Sequence, residues 1–105
     1  MGANNPSFKE RCYQVLAQVP EGKVTTYREI AFALNCRAYR AVGRAMAENE
    51  KLVVIPCHRV VRSDGSIGQY ALGLERKKEL LKNEGVPVNG KKIENFRDYL
   101  YEFSQ

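Results

Sequence analysis

The only histidine of the chain stands directly after a cysteine, in the run Ile55-Pro56-Cys57-His58-Arg59. A cysteine attacks as its thiolate, and a nearby imidazole can accept the thiol proton while a carboxylate orients that imidazole. Neighbouring residues on a regular strand point to opposite faces, so Cys57 and His58 can cooperate only if the strand ends at Pro56 or a water molecule bridges them. Two interpretations of the dipeptide stay open: a nucleophile with its base, or a buried cysteine beside a surface histidine.

Length and composition limit the kinds of protein that could use such a pair. The chain has 105 residues, 44% of them apolar, which suffices for one domain with a small core. Three cysteines at irregular spacing predict reduced thiols in a cytoplasmic protein and argue against a disulfide framework. The single histidine and the lack of a C-x-x-C motif argue against a zinc site, and we expect neither a metal nor a cofactor.

The apolar segments and the charge indicate where the chain works. No stretch approaches the ~20 consecutive apolar residues of a membrane span, so we expect no membrane association. The N-terminus has no basic region followed by an apolar core, so we expect no secretion signal. Lysine and arginine number 17 against 12 aspartates and glutamates, a formal charge of +5. This excess favours an acidic partner, with nucleic acid as the first candidate.

The secondary structure elements that must position Cys57 and His58 are predicted to be mostly helical. Ser7 to Glu10 and Thr26 to Glu29 both fit a capping box, which marks the start of a helix. Apolar residues at helical spacing extend these two helices and predict three more, at about 39–48, 74–84 and 96–103. A short polar break at 35–37 joins the second and third helices as a helix-turn-helix.

Smaller β segments complete the predicted fold. Residues 52–61 are rich in strand-forming side chains, and Val88-Asn89-Gly90-Lys91 predicts a tight hairpin. We therefore predict a mostly α-helical domain with a small β element, a winged-helix-like helix-turn-helix fold. Residues 1–105 are expected to form it as a single domain.

The third predicted helix combines small side chains with arginines. Ala38, Ala41 and Ala45 share one face, with Gly43 nearby, and the arginines between them are Arg37, Arg40 and Arg44. One interpretation is tight helix packing with solvated arginines. The other is a helix pressed against a nucleic acid backbone, with the arginines contacting phosphates or inserting between bases.

Several segments together resemble one known family. The run from Ile55 to Val61 resembles the active-site signature of the O6-alkylguanine-DNA alkyltransferases. Four more blocks of that family occur here in the same order: a first segment at 24–31, a recognition helix at 40–46, an active-site loop at 68–74 and a closing helix at 80–85. The resemblance covers about residues 7–88, so the chain is identified as a member of this family. It resembles the family's DNA-binding and active-site domain, without the N-terminal domain that most members carry.

The resemblance implies four catalytic residues. Cys57 would be the alkyl acceptor, and His58 would act as its base through a water molecule. Glu84 would orient His58. Asn49 would tie the recognition helix to the active-site turn.

The resemblance also implies how DNA is bound. Tyr27 would contact a flipped base and help rotate its phosphate, while Arg40 would fill the gap left in the base stack. Ala41 and Gly43 would belong to the helix face that enters the minor groove of double-stranded DNA. Further contacts to the guanine would come from backbone groups of Cys57, Val60 and Ala71 and from the side chain of Tyr70.

The implied function is single-turnover DNA repair, in which a monomer flips O6-alkylguanine out of the duplex and takes the alkyl group irreversibly onto Cys57. Further repair proteins are expected as additional partners. Three alternatives stay open. The chain could be a damage-binding module with an inert Cys57, like the short alkyltransferase-like relatives that carry tryptophan at this position. It could also be a winged-helix transcription factor, or a cysteine hydrolase, although no oxyanion-hole motif is evident.

Overall fold

The computed structural model describes residues 6–103, and the N-terminal segment considered above for a signal lies almost wholly outside them. The helices are α1 (Phe8–Leu16), α2 (Tyr27–Ala33), α3 (Tyr39–Ala47), α4 (Leu74–Asn83) and α5 (Phe96–Tyr99). The strands are β1 (Thr25–Thr26), β2 (Val60–Val61), β3 (Val88–Asn89) and β4 (Lys92–Ile93), and a single 3-10 turn covers Cys57–Arg59. The prediction of a mostly helical domain with a small β element is confirmed.

Helices α1 to α3 form the helix-turn-helix half of the molecule. The first capping box is confirmed, because Glu10 N donates to Ser7 Oγ (3.1 Å) and Ser7 N donates to Glu10 Oε1 (3.0 Å). The turn between α2 and α3 contains Asn35 in the left-handed region, with φ of 58°. Tyr13 on α1 donates its hydroxyl to Ala45 O on α3 (2.6 Å), which fixes the position of α3 against α1.

The start of α2 differs from a full capping box. Thr26 Oγ1 accepts a hydrogen bond from Glu29 N (3.0 Å), as predicted, but the described residues show no return bond from Thr26 N to the Glu29 carboxylate. Thr26 is also the last residue of β1, where it pairs with Val61 in a parallel ladder. Its backbone therefore serves the sheet as well as the helix.

Residues 52–61 are rich in strand-forming side chains but form a strand only at their C-terminal end. Only Val60–Val61 forms a strand, preceded by a single bridge between Leu52 and Ile55. Two local features break the extended backbone: Val53 has a φ of 73°, and Pro56 offers no N–H to a ladder. Ile55 N donates to Lys51 O (2.8 Å), so this part of the chain is a turn.

The C-terminal half carries the hairpin and the last two helices. The predicted hairpin is confirmed: β3 and β4 pair antiparallel, with Val88 opposite Ile93. The last helix is shorter than predicted and ends at Tyr99. After it, the chain runs extended along Val24, which accepts from Tyr101 N (2.8 Å) and donates to Tyr99 O (2.8 Å).

Two buried clusters form the core, and the run from Ile55 to Arg59, which contains Cys57 and His58, lies between them. The first packs α1, α2 and α3 against Cys57 and Val60. The second joins β2 to α4 and the hairpin through Val24, Val61, Ile67, Leu81, Val86, Val88 and Ile93. Consecutive residues of β2 thus belong to different clusters. Within residues 6–103, no helix combines the length and apolar character that crossing a membrane requires.

Candidate functional site

The thiol of Cys57 lies in a cavity at the meeting point of the two halves. Cys57 opens the 3-10 turn directly after Pro56, and it is only 6% exposed. The cavity has a volume of about 230 Å³ and is lined by Tyr27, Gly43, Met46, Ala47, Cys57, Gln69, Tyr70 and Ala71. No strand runs through Cys57 and His58, which lie in the 3-10 turn after Pro56, so the alternation of a regular strand does not force them to opposite faces.

Asn49 connects this thiol to the end of α3. Its side-chain amide Nδ2 donates to Cys57 Sγ (3.3 Å) and to Ile55 O (3.0 Å), while its Oδ1 accepts from Lys51 N (2.8 Å). Asn49 is buried, and these bonds involve both ends of its amide. Asn49 therefore holds the turn that carries Cys57 against the end of α3.

His58 and Glu84 form a buried pair behind the thiol. His58 is fully buried, and its Nε2 lies 2.9 Å from Glu84 Oε2. Arg59 binds the same carboxylate at both oxygens, with Nε 2.9 Å from Oε1 and Nη2 2.8 Å from Oε2. A third bond, from Arg59 Nη1 to Val19 O (2.9 Å), anchors the arginine. Glu84 is the residue that caps the end of α4, so the pair joins α4 to the 3-10 turn.

The charge states of this pair follow from its surroundings. Burial opposes ionisation of Glu84, but hydrogen bonds from Arg59 and His58 outweigh it and hold the Glu84 pKa below its usual value. Burial lowers the pKa of His58, although the hydrogen bond to Glu84 opposes that shift. An ionised carboxylate only accepts hydrogen bonds, so Nε2 of a neutral His58 must carry the proton and Nδ1 must hold the lone pair. That Nδ1 atom is buried and has no hydrogen-bond partner in residues 6–103.

Lys77 supports the opposite wall of the cavity from within the core. Its side chain is fully buried, yet its ammonium donates to Val60 O (2.7 Å) and Gln69 O (3.1 Å). These bonds link β2 to the loop that carries Tyr70. Burial lowers the pKa of Lys77 to about 8. The wall of the cavity is therefore fixed by a cation that titrates close to neutral pH.

The exposed face of α3 differs from the predicted one. Ala45 is buried against Tyr13 and belongs to the first core cluster, so it cannot reach a partner. Ala41 is half-buried and Gly43 lines the cavity beside Ala47. A Cβ placed on Gly43 would meet no heavy atom within 4 Å, so the described packing does not require a glycine there.

The arginines on and just before α3 are exposed cations. Arg37, Arg40 and Arg44 are exposed, and none forms an ion pair with a carboxylate in the part of the chain that the structure describes. Because Gly43 of the same helix lines the Cys57 cavity, α3 combines an electropositive surface with one wall of that cavity.

The remaining predicted residues surround the cavity. Tyr27, the first residue of α2, and Tyr70 both line it, and burial raises the pKa of each phenol, which keeps both protonated. Ala71 lies at the rim and is exposed. Val60 is fully buried, and its carbonyl is already engaged by Lys77 but keeps a second lone pair.

Two residues of the site were missed by the sequence analysis. Arg59 was left without a role, although it makes more contacts to Glu84 than His58 does. Lys77 was not singled out, yet the sequence does indicate its burial. Lys77 lies three residues after Leu74, three before Leu80 and four before Leu81, so it belongs to the apolar stripe of α4. A charged residue at such a position needs buried partners. No group of three or more potential metal ligands occurs among residues 6–103.

Comparison with known proteins identifies the family. A family model described as "6-O-methylguanine DNA methyltransferase, DNA binding domain" matches residues 7–86. The chain belongs to this family. A methylated-DNA–protein-cysteine methyltransferase of Methanosarcina barkeri is 46% identical over 78 residues, which are 73% of this chain and 49% of the relative. The chain spans about half or less of the curated methyltransferases it matches.

Solved structures of this methyltransferase family share the fold. The crystal structure of the O6-methylguanine-DNA methyltransferase of Pyrococcus kodakaraensis is 49% identical, with a TM-score of 0.71 over 77% of this chain and 47% of that one. Schizosaccharomyces pombe Atl1, in complex with damaged DNA containing O6-carboxymethylguanine, is 32% identical with a TM-score of 0.80. That match covers 90% of this chain and 94% of Atl1. The family predicted from the motifs is therefore confirmed.

Proposed function

We propose that this protein repairs DNA by transferring the alkyl group of O6-alkylguanine to its own Cys57, irreversibly and once per molecule. The observation that carries the proposal is a nearly buried thiol in a cavity, held by Asn49 and adjacent to the His58–Glu84 pair. In the transfer, the sulfur forms a bond to the alkyl carbon and the bond from that carbon to O6 breaks. The departing guanine is neutralised by a proton, and the chain keeps a stable thioether.

The buried pair supplies the base for this step. Glu84 holds the proton of His58 on Nε2, which leaves the lone pair of Nδ1 free to accept a proton. We propose that a water molecule carries the Cys57 proton to Nδ1, because neighbouring side chains on this turn need such a bridge. The lowered pKa of His58 keeps the imidazole neutral, and so available as a base, at neutral pH.

The cavity accepts the damaged base. Tyr27 and Tyr70 provide aromatic walls that suit a planar base, and the edge of that base would be read by backbone groups of Cys57 and Ala71, which line the cavity, and of Val60. A base inside a duplex cannot reach Cys57, so the nucleotide must leave the stack first. The cost of this flip is a few kcal/mol and is smallest for a damaged, poorly paired base.

We propose that α3 lies in the minor groove of double-stranded DNA. Gly43 and Ala41 let the helix backbone approach the narrow groove, since no packing within the described chain needs a glycine at 43. Arg40 extends from the same exposed side and would fill the gap that the flipped base leaves. The remaining arginines would contact phosphates.

The proposal includes the domain organisation, the oligomeric state and the cellular compartment of the protein. Residues 1–105 would act as one domain and as a monomer, because the reactive thiol, its base and the α3 surface all lie on one chain. A thiol acceptor needs a reducing compartment, so we place the protein in the cytoplasm. Further repair proteins would act as additional partners.

Intact-mass spectrometry tests the proposal directly. The protein is incubated with duplex DNA containing one O6-methylguanine, and undamaged duplex serves as the control. We expect a gain of one methyl group per chain, on Cys57, only with the damaged duplex. A gain mapped by peptide analysis to Cys12 or Cys36 would overturn the assignment of the acceptor.

A second function is favoured by one observation. The crystal structure of Atl1, with which this chain shares 32% identity and a TM-score of 0.80, is a complex with damaged DNA containing O6-carboxymethylguanine. The alternative is a module that binds alkylated bases and recruits other repair factors without transfer. An unchanged mass together with tight, damage-specific binding would establish the module and reject the transferase.

A further inference from the structure

A second cavity lies next to the one that holds Cys57. It has a volume of about 440 Å³ and is lined by Arg62, Ser66, Gly68, Gln69, Tyr70, Leu74 and Lys91. Gln69 and Tyr70 line both cavities, so the loop that walls the Cys57 cavity also forms a side of the second. Whatever occupies the second cavity therefore lies within one loop of the proposed base site.

The charge of the second cavity is positive. Arg62 and Lys91 contribute two cations, and no aspartate or glutamate lines the cavity. Neither cation forms an ion pair among residues 6–103. The nearest acidic residue in the chain is Asp64, but its carboxylate accepts hydrogen bonds from Ser66 N (2.9 Å) and Ser66 Oγ (2.7 Å). An anion from outside would meet two unpaired cations.

Arg62 lines the second cavity and follows β2 directly in the chain. Its backbone is held by bonds from Arg62 N to Ser66 O (2.9 Å) and from Gly65 N to Arg62 O (2.9 Å). Its side chain runs past Gly68, where an added Cβ would lie 3.6 Å from both Cγ and Nε of the arginine. Arg62 is also close to Tyr27: burial raises the pKa of that phenol, and the charge of Arg62 offsets part of the rise.

Lys91 is held in place by the hairpin. The hairpin is joined to the segment after β2 by bonds from Ile67 N to Lys91 O (2.9 Å) and from Ile93 N to Gly65 O (2.9 Å). An isolated bridge between Ser66 and Lys92 adds to this pairing. The tip of the hairpin is therefore attached to the same segment that carries Arg62, which brings the two exposed cations to one cavity.

We infer that Arg62 and Lys91 form a clamp for a backbone phosphate of the lesion strand, beside the flipped nucleotide, and that the hairpin β3–β4 acts as a DNA-binding wing. The inference rests on the proposed function. A flipped nucleotide must stay joined to the duplex through the phosphates on either side of it, and these must pass close to the rim of the Cys57 cavity. The second cavity offers the cations there, and Lys91 lies beyond the segment 7–86 that defines the family.

Salt titrations of DNA binding test the clamp. The variants are Arg62→Ala, Lys91→Ala and the charge-conserving Arg62→Lys, with Lys82→Ala as the control because this exposed lysine of α4 lines neither cavity. Each loss of a phosphate contact should reduce the slope of log affinity against log salt by about one unit. We expect this reduction for both clamp alanines, no reduction for Lys82→Ala, and a slope near wild type for Arg62→Lys. Equal slopes for clamp and control alanines would overturn the inference.

A phosphate scan identifies the bound group. Single phosphates of the lesion strand are replaced by neutral methylphosphonates, one position at a time, within three nucleotides of O6-methylguanine. We expect one position at which the methylphosphonate lowers the affinity of the wild type about fivefold to tenfold. At the same position it should not lower the affinity of Arg62→Ala, compared with unmodified DNA. Inorganic phosphate at matched ionic strength should not compete; competition without any sensitive position would show a site for free anions and overturn the clamp. Methyl gain by the wild type, measured in parallel, separates failure of the clamp from failure of the proposed function.

Discussion

The polar side chains next to Cys57, here called the relay, are Asn49, His58, Arg59 and Glu84. The relay and the exposed side of α3 differ in where their polar groups find hydrogen-bonding or ionic partners. In the relay, Asn49, Glu84 and Arg59 are all hydrogen-bonded within the chain. On α3, Arg40 has no ionic partner in residues 6–103, and Gly43 leaves space that the described chain does not fill. The polar groups of the first region find partners within the chain, except for Nδ1 of His58, which has none in residues 6–103, whereas those of the second would find theirs on DNA under the proposed function. Changes in the relay should therefore alter the reaction and the fold, and changes on α3 should mainly alter binding.

The largest expected effect separates chemistry from binding at one residue. Cys57→Ala should abolish methyl transfer, because no other thiol reaches the cavity: Cys12 is buried in the core and Cys36 does not line it. Affinity for damaged duplex should stay within about threefold, since α3 is unchanged. Intact mass and a binding titration measure the two quantities, with Cys36→Ala as the matched control. If the alanine variant also loses its binding, the two regions are not independent.

The next largest effect concerns His58, the proposed general base, and its partner Glu84. His58→Ala should slow transfer by about 10²–10⁴-fold near neutral pH, because general-base catalysis is lost, and Glu84→Gln should slow it less. Raising the pH should restore part of the rate by supplying thiolate directly. Since the pKa of His58 lies below 6.5, the wild-type rate should decline only in more acidic solution, as the imidazole becomes protonated. Single-turnover kinetics measure this. Glu79→Gln, at an exposed carboxylate, is the control, and equal rates for both glutamine variants would remove Glu84 from the relay.

Lys77 should produce an effect of a few kcal/mol that depends on pH. The native pKa of about 8 lies below the ordinary 10.5, so between these values the unfolded chain holds a proton that the native chain lacks. Stability of the wild type should therefore rise with pH across this window, by about 2–4 kcal/mol relative to Lys77→Met. Other titrating groups cancel in the difference between the two proteins. Urea unfolding at pH 7.5 and pH 10 tests this, and a difference that stays constant with pH would contradict it.

Arg40 should produce an effect on the order of tenfold that depends on the DNA. Arg40→Ala should weaken binding to damaged duplex more than to a damaged single strand, because a single strand has no gap for the side chain to fill. A phosphate contact alone would instead reduce both affinities similarly and lower the duplex salt slope by about one unit. Titrations of both substrates at several salt concentrations distinguish these cases. Arg97→Ala, at an exposed arginine of α5, is the control.

The smallest expected effect is that of Gly43→Ala, which should raise the stability of the free protein and lower its affinity for DNA. Gly43→Ala should stabilise the free protein by roughly 0.5–1 kcal/mol, because alanine is the better helix former and its Cβ meets no protein atom. The same methyl group should weaken DNA binding severalfold, because it keeps α3 away from the groove. Thermal unfolding and a binding titration check the two signs. A stabilised protein with unchanged DNA affinity would mean that Gly43 does not face DNA.

Local patterns predicted the helices well because their signals are local. The Ser7 capping box and the hairpin at Gly90 depend on residues a few positions apart, and both are present as predicted. The strand-forming side chains at 52–61 did not reveal the turn there, because composition does not report backbone dihedral angles: Val53 adopts a left-handed conformation that β-branched residues rarely take. The early end of α5 was equally hidden, since it depends on pairing with Val24, far away in the chain.

The site was predictable only in part. The motif around Cys57 and its resemblance to a family led to Asn49, whose amide lies 3.3 Å from Cys57 Sγ, and to Glu84, whose Oε2 lies 2.9 Å from His58 Nε2. Arg59 as a second partner of Glu84 and Lys77 as the partner of Val60 O were not predicted. The contact of Arg59 depends on how α4 packs against the 3-10 turn, whereas the burial of Lys77 was indicated by its position on the apolar stripe of α4.

The pairing of residues 99–101 with Val24 has a consequence for where this domain ends. The family match stops at residue 86, yet Val24 exchanges backbone hydrogen bonds with Tyr99 and Tyr101, and Val88 and Ile93 fill the second core cluster. The unit recognised by homology is thus shorter than the set of residues that builds the two cores. A chain cut at the homology boundary would leave Val24, next to β1, without these backbone partners and would open one of its two cores to water, although Asn49, Cys57, His58 and Glu84 would all still be present.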